Sequence, residues 1–437
     1  AQLRPSPFRG SWGKKARRRV ESIPTRAGCA IEIEFVEPFN LDLLDTAHNR
    51  NVPTVIILHG INGHSTEPYV EQAALHIAVE KKWRAVVLNY AKVKQTKGEA
   101  LVGGQSLIDA GDISTVVSHI RKHHDGFLGA LGFSMGGAKL VQYLCRTKEH
   151  SQLDAAGTIS SPLDFTERNH TVHRPVEFVH RLYHFVITAS VKLSLARNYF
   201  ELRKHPRLAN TTPFRRSISS LWWWLQTNTV TEIDRSITLP SKGYSDIHHY
   251  YNDATFIHQL RDSITMPFLC LTAKNDPFVP VDIIPDHVIA DDNENVFIVN
   301  TPKVGGHIGF WLPGRGCWAT RACLSFFDSV RHNVAATSRS RMFRRASSFK
   351  AAHSLERSST LGLNNYFGLI SRDSDYSFFD EEDEDPATIS TRQNELIKVA
   401  SHSMLHAMGN IAATNAGVGN SNTEANPLVR HCASFVF

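Results

Sequence analysis

Gly132-Phe133-Ser134-Met135-Gly136 sets a serine between two glycines, where the apolar run Leu128–Phe133 meets the helix-length stretch Met135–Arg146. A turn that sharp brings neighbouring backbone so close that only small residues fit two positions before and after the serine. It also points the hydroxyl out beside the positive end of the following helix. These are the conditions for a nucleophile. A serine hydroxyl is inert at neutral pH until a base takes its proton, and the base needs an acid to hold its tautomer. Asp276, in Lys274-Asn275-Asp276-Pro277, follows the apolar run Phe268–Ala273, and His307, in Gly305-Gly306-His307, follows the run Val296–Thr301. Both stand on loops just past a strand, in the order acid, then histidine. Asp112, Asp246 and Asp253 compete with Asp276, but none directly follows a buried strand pattern.

Attack on an ester carbonyl also needs donors for the oxyanion. The turn Leu58-His59-Gly60-Ile61 ends another apolar run, so the backbone N–H groups of Ile61 and Met135 are assigned to that hole. His59 is read as shaping this turn, not as a base. The chemistry calls for no cofactor and no metal. Pairs such as His170/His173 and His248-His249 have no Cys or acidic partner at ligand spacing and are read as surface or satisfied polar groups.

The elements that must hold these residues follow from the hydropathy pattern. Val55-Ile56-Ile57-Leu58 is a continuous β-branched run of the kind buried on both faces of a parallel sheet. Similar runs recur at Ala85–Leu88, Leu128–Phe133, Ala155–Ile159, Phe268–Ala273 and Val296–Thr301, with helix-length stretches between them. Ile31, Ile33 and Phe35 alternate with Glu32 and Glu34 and predict a half-exposed strand. The alternation defines an α/β fold with a mainly parallel sheet and helices on both faces. Residues 165–247 break the rhythm with aromatic and basic side chains and no strand pattern. A segment that long predicts a helical cap, with Trp222, Trp223 and Trp224 lining or gating the acyl site.

Charge divides the chain differently. The net charge is +6, yet residues 1–28 hold eight Lys/Arg against Glu21. That is a surplus of seven, and the rest of the chain is one charge negative. A short arm, read as disordered, makes the protein basic, which excludes a nucleic-acid-binding face on the folded part and suits peripheral contact with an anionic membrane surface. Residues 29–330 are expected to be the folded domain and residues 331–437 a mostly disordered tail, apart from a weak helical period over Glu395–Ala412. In the tail, Arg344-Arg345-Ala346-Ser347 suits a basophilic kinase acting on Ser347. Ser377-Phe378-Phe379-Asp380 is similar to an acidic two-phenylalanine tether to the endoplasmic reticulum. Six scattered cysteines without CxxC pairs suit a reducing, intracellular compartment, cytoplasmic or peripheral to a membrane. The chain opens on Ala1, not Met, so an upstream anchor is left open.

The stretches LHGINGHSTEPYV, LGFSMGGAKLVQYL, EIDRSITLPSKGYSDIHHYYNDAT, MPFLCLTAKNDPFVP and VGGHIGFW, spread from Leu58 to Trp311, resemble the YheT-like, embryogenesis-associated group of the α/β-hydrolase superfamily. The resemblance implies the α/β-hydrolase fold, Ser134 as nucleophile, Asp276 and His307 as charge relay, and short- to medium-chain lipid esters as substrates. It also implies a choice between hydrolysis and acyl transfer to an alcohol. Relatives usually carry an Arg-Gly pair where this chain has Asn89-Tyr90-Ala91-Lys92, which bears on substrate choice. A serine carboxylester hydrolase is therefore expected, with an acyltransferase as the alternative and a non-catalytic binding protein as a remote one.

Overall fold

A computed structural model describes residues 16–24, 30–39, 46–90, 107, 110–166, 178–202, 208, 227–279, 293, 295–301, 305–312 and 316–347. The chain divides into two compact units, Ala1–Asp375 and Tyr376–Phe437, and every described residue belongs to the first.

Eight strands form one sheet: β1 (Ala16–Pro24), β2 (Ala30–Pro38), β3 (Thr54–Leu58), β4 (Arg84–Asn89), β5 (Leu128–Phe133), β6 (Ala155–Ile159), β7 (Phe268–Ala273) and β8 (Val296–Thr301). Their spatial order is β1-β2-β4-β3-β5-β6-β7-β8. β1 and β2 pair antiparallel and β2 runs antiparallel to β4, while every pairing from β4 to β8 is parallel. A short ribbon of β9 (Trp311–Leu312) and β10 (Gly316–Cys317) follows.

Helices cover both faces because successive strand residues point to opposite sides. Ile56, Leu58, Val86, Leu88 and Ala130 pack in one core with α3 (Gly111–His123) and α4 (Met135–Thr147). Val55, Ile57, Ala85, Val87 and Leu131 pack in the other with α2 (Pro68–Leu75) and α11 (Trp318–Ser347). The small helix α1 (Thr46–Asn51) precedes β3. This is the α/β-hydrolase fold.

Between β6 and β7 lie α5 (Phe178–Arg197), α6 (Tyr199–Leu202), α7 (Val230–Ile233), α8 (Leu239–Lys242), α9 (Ile247–Ala254) and α10 (Leu260–Ser263). A π-helical turn, Asp234–Thr238, joins α7 to α8. Val191, Leu195, Leu202, Leu208, Ile233 and Ile237 give these helices an apolar cluster of their own.

Three expectations are corrected. The basic arm is not disordered over its whole length, since residues 16–24 form β1. Its inward positions include Arg18, buried and paired with Glu34 at 3.1 Å and Glu71 at 2.6 Å. An inward cation interrupts the apolar alternation that marks a strand, so the hydropathy pattern is silent there. β2 is correspondingly not half-exposed, because Glu34 and Glu37 are buried against Arg18 and Arg84. The third correction concerns the tail, where α11 continues through Ser347. Ala319, Cys323, Leu324, Phe327 and Val330 bury one side of it, and no Gly or Pro follows before 347 to stop it. The Arg344–Ser347 tetrad thus has a helical backbone; its side chains lie outside the described residues.

Candidate active site

The carboxyl ends of the parallel strands converge on one site. Ser134 ends β5, and its φ of 50° and ψ of −125° put a non-glycine residue in a sparsely populated region, a strain of about 1–3 kcal/mol held by the surrounding fold. The glycines show what holds it. A Cβ on Gly136 would lie 2.4 Å from the carbonyl oxygen of Leu58, and one on Gly132 would lie 2.4 Å from the Cα of Gly137. The Ser134 N–H donates to the Ile159 carbonyl at 3.0 Å, tying the turn to β6.

His307 Nε2 stands 2.9 Å from Ser134 Oγ, and its Nδ1 lies 3.0 and 3.1 Å from the two oxygens of Asp276. A carboxylate only accepts, so Nδ1 carries the proton and Nε2 presents its lone pair to the serine hydroxyl. Asp276 is buried and also accepts from the N–H groups of Phe278 at 2.8 Å and Val279 at 3.2 Å. Those fixed donors aim the carboxylate at the ring. The competing acids are engaged elsewhere: Asp246 caps α9 through the His249 N–H, and Asp253 accepts from Tyr244 Oη. Asp112 stands in the first turn of α3.

Three residues that the sequence reading did not single out hold the histidine loop. Ser160, at the end of β6 and itself at φ 51°, donates to the Gly306 carbonyl and accepts from the Ile308 N–H, one contact on each side of His307. Asn275 accepts from the Gly306 N–H at 2.9 Å. Phe278 sets its ring edge-on to His307, 4.8 Å between centroids. Serine and asparagine are too common in loops for composition to mark them. The signal was position: Ser160 follows an apolar strand run, as Ser134, Asp276 and His307 do.

The second loop starts at His59, whose buried ring sets Nδ1 2.8 Å from the Gly60 carbonyl and packs on Tyr90. Tyr69, in the first turn of α2, accepts the Gly60 N–H at 2.9 Å. That donor is therefore engaged, and the Ile61 N–H follows it in the chain. Met135 opens α4, where the first N–H groups have no intrahelical acceptor. Burial pushes the Tyr69 phenol well above its ordinary range, so the hydroxyl stays protonated. Ser65, further along the loop, donates its hydroxyl to Glu34 at 2.5 Å and its N–H to Asn89 Oδ1 at 2.9 Å.

The cap helices bear on both loops. Tyr183 and His184 of α5 pack on Phe278, and Asn62 reaches Ser190 Oγ at 2.7 Å. The Ile61 side chain packs into the cap cluster. In the motif from Glu232 onward, buried Asp234 accepts from Tyr251 at 2.9 Å, and Tyr250 Oη accepts the Leu107 N–H at 3.0 Å. Trp222, Trp223 and Trp224 lie outside the described residues, as do Ala91-Lys92, Lys14-Lys15 and Ser377–Asp380. Among the described residues no group of His, Cys, Asp and Glu side chains could hold a metal ion, and no helix is long and apolar enough to cross a membrane.

No protein-family model matches the sequence. Individual relatives do. Mouse (Mus musculus) phospholipase ABHD3 is 31% identical over 316 residues, 71% of this chain and 70% of the relative. The embryogenesis-associated protein EMB8 of Picea glauca is 26% identical over 313 residues, 70% of this chain and 64% of that protein. The medium-chain fatty acid ethyl ester synthase/esterase 2 of Saccharomyces cerevisiae is 25% identical over 296 residues, covering 65% and 64%. Among solved structures, an esterase of Pyrobaculum calidifontis matches with a TM-score of 0.44 and 16% identity, over 73% of this chain and 85% of that one. The chain belongs to the α/β-hydrolase superfamily and, within it, to the family of α/β-hydrolase-domain proteins that includes phospholipase ABHD3.

Proposed function

We propose that this protein is a serine carboxylester hydrolase of lipid esters, with Ser134 as nucleophile, His307 as general base and acid, and Asp276 as the group that orients His307. Carboxylic ester hydrolysis is the class of its family. The observation that carries the assignment is the unbroken line Ser134 Oγ, His307 Nε2, His307 Nδ1, Asp276, with 2.9 Å at one end and 3.0 Å at the other. Ser134 Oγ attacks the ester carbonyl as its proton passes to His307 Nε2. The imidazolium is stabilised by Asp276, and the carbonyl oxygen, now negative, is received by the N–H groups of Ile61 and Met135. His307 returns the proton to the departing alcohol, leaving an acyl-Ser134 ester. Water, deprotonated by His307, then releases the acid.

Lipid esters as the substrate class are supported by the names of relatives, a phospholipase, a monoacylglycerol lipase and an ester synthase/esterase. The last name favours a second reading, in which an alcohol replaces water in the second half-reaction and the same residues make an ester. The deciding ratio is acid to new ester formed when an alcohol acceptor is supplied. A fluorophosphonate probe tests the nucleophile: labelling is expected in the wild type and absent in Ser134→Ala. Undiminished labelling of that variant overturns the assignment. His307→Ala is expected to keep the fold and lose turnover by roughly 10⁶.

A further inference from the structure

The face of α5 turned away from the site is unusual for a water-exposed helix. Phe178 is 80% exposed, Phe185 is 54% exposed and Leu182 is 46% exposed. Leu193 on the same helix and Phe200 just after it are exposed as well. Phe178, Leu182, Phe185, Ala189 and Leu193 are spaced four, three, four and four residues apart, so they form one stripe along the helix. The opposite side, with His184, Thr188, Val191 and Leu195, is buried. This is an amphipathic helix whose inner face packs on the cap and whose outer face is apolar.

Its charges are all of one sign. Residues 178–200 contain Arg181, Lys192 and Arg197 and no Asp or Glu, with Glu177 and Glu201 flanking the span and Glu232 acting on Lys192 from α7. At 100° per residue, Arg181 and Lys192 border one side of the stripe and Arg197 the other. An apolar stripe edged by cations matches the boundary between lipid headgroups and acyl chains, where the stripe enters and the cations meet anionic headgroups. A second copy of the same face would set cations against cations. No described helix is long and apolar enough to cross a bilayer, so a stripe of this kind would meet one along its surface.

We propose that the outer face of α5 docks the protein on an anionic lipid bilayer. The inner side of the helix touches Phe278, which touches His307, and holds Asn62 beside Ile61. Docking through α5 therefore sets the roof of the site against the surface in which a lipid ester resides. The inference goes beyond the esterase reading and stands apart from it, because binding is read without turnover.

The experiment is co-sedimentation of the full chain with vesicles of phosphatidylcholine and of an equal phosphatidylcholine–phosphatidylserine mixture. The wild type is expected to bind the mixed vesicles more tightly, and less so as salt rises. Phe178→Ser/Phe185→Ser is expected to weaken binding to both by about tenfold or more. Its thermal midpoint and its turnover of soluble p-nitrophenyl butyrate are expected to be unchanged. Arg181→Glu/Arg197→Glu is expected to lose part of the gain given by phosphatidylserine and to bind pure phosphatidylcholine vesicles as the wild type does. Wild-type binding equal to that of the phenylalanine variant, or no wild-type binding, overturns the proposal. So does a change of oligomeric state in that variant with vesicle binding intact, which assigns the face to a second copy. Vesicle binding without any p-nitrophenyl butyrate turnover would leave docking standing and remove the esterase reading.

Discussion

The middle of the sheet and its β1–β2 edge are held together by opposite means. In the middle, contact is made by backbone: Gly136 lies so close to Leu58 and His59 that a Cβ would sit 2.4 Å from one carbonyl oxygen and 2.5 Å from the next. At the edge, contact is made by charge. Arg18 bridges Glu34 and Glu71 in the interior, and Arg84 meets Glu37 at 2.7 Å. Shape of the first kind fails when an atom is added; charge balance of the second kind fails when one partner is taken away. The two regions meet in the loop from His59 to Ser65, which carries Ile61 at one end and donates to Glu34 from the other.

The sharpest break in the middle is Gly136→Ala. The added methyl must displace the Leu58–His59 backbone or the serine turn. The expected cost is about 3–5 kcal/mol of stability and, in protein that still folds, roughly 10³ in kcat. Denaturant melts and pre-steady-state acylation read the two effects separately. At the edge, Arg18→Met leaves two buried carboxylates without their cation, for an expected loss of about 3 kcal/mol. The kinetic loss should be smaller, since the reacting atoms keep their geometry. Adding Glu34→Gln and Glu71→Gln to that variant should recover part of the stability. If it does not, Arg18 contributes through packing and not through charge.

The same contrast explains what could be read without coordinates. Gly-x-Ser-x-Gly, the acid after β7 and the histidine after β8 were legible because each follows an apolar run of strand length, and hydropathy marks such runs directly. β1 was not, because Arg18 and Arg19 stand where apolar alternation should be, and only the pairing of Arg18 with Glu34 and Glu71 makes an inward arginine tolerable. Such a partnership spans 53 residues in sequence. The extension of α11 to Ser347 was hidden for a different reason: past Val330 its composition resembles a solvated tail, while its backbone meets no helix breaker. Ser160 and Asn275 act through single hydrogen bonds to main chain, and no periodicity records those.

Asp234 is a buried carboxylate of a third kind, with hydroxyl partners, Tyr251 and Thr238, in place of a guanidinium. Desolvation pushes its carboxyl from an ordinary 3.8 up to about 6, and the two hydroxyls pull the other way. The folded state therefore holds the proton to higher pH than the unfolded state does. Its stabilising contribution is full below about pH 4 and is lost as pH rises through about 6, amounting to about 3 kcal/mol. Asp234→Asn should remove that slope. The variant should melt progressively higher relative to wild type as pH is raised from 4 to 7, and parallel profiles would show that Asp234 ionises normally.

The smallest effect tests the junction of the two regions. Tyr69 Oη accepts the Gly60 N–H, and its ring packs edge-on against Phe133, 5.1 Å between centroids, one residue from Ser134. Tyr69→Phe keeps the ring and deletes only the acceptor. The Gly60 N–H then has to find another partner by rotating the His59–Gly60 peptide, which shifts the backbone leading into Ile61, the donor assigned to the oxyanion. Kinetics should separate this from a packing defect. Loss of a positioned oxyanion donor lowers kcat and weakens a boronate inhibitor that forms the tetrahedral adduct, by roughly tenfold each, or about 1.4 kcal/mol, while KM stays near its wild-type value. A simple loss of packing lowers the melting midpoint and leaves the boronate affinity alone. Unchanged boronate affinity with a lowered midpoint would make Tyr69 part of the scaffold and leave the loop positioned by Ser65 and Glu34, from the charged edge of the sheet.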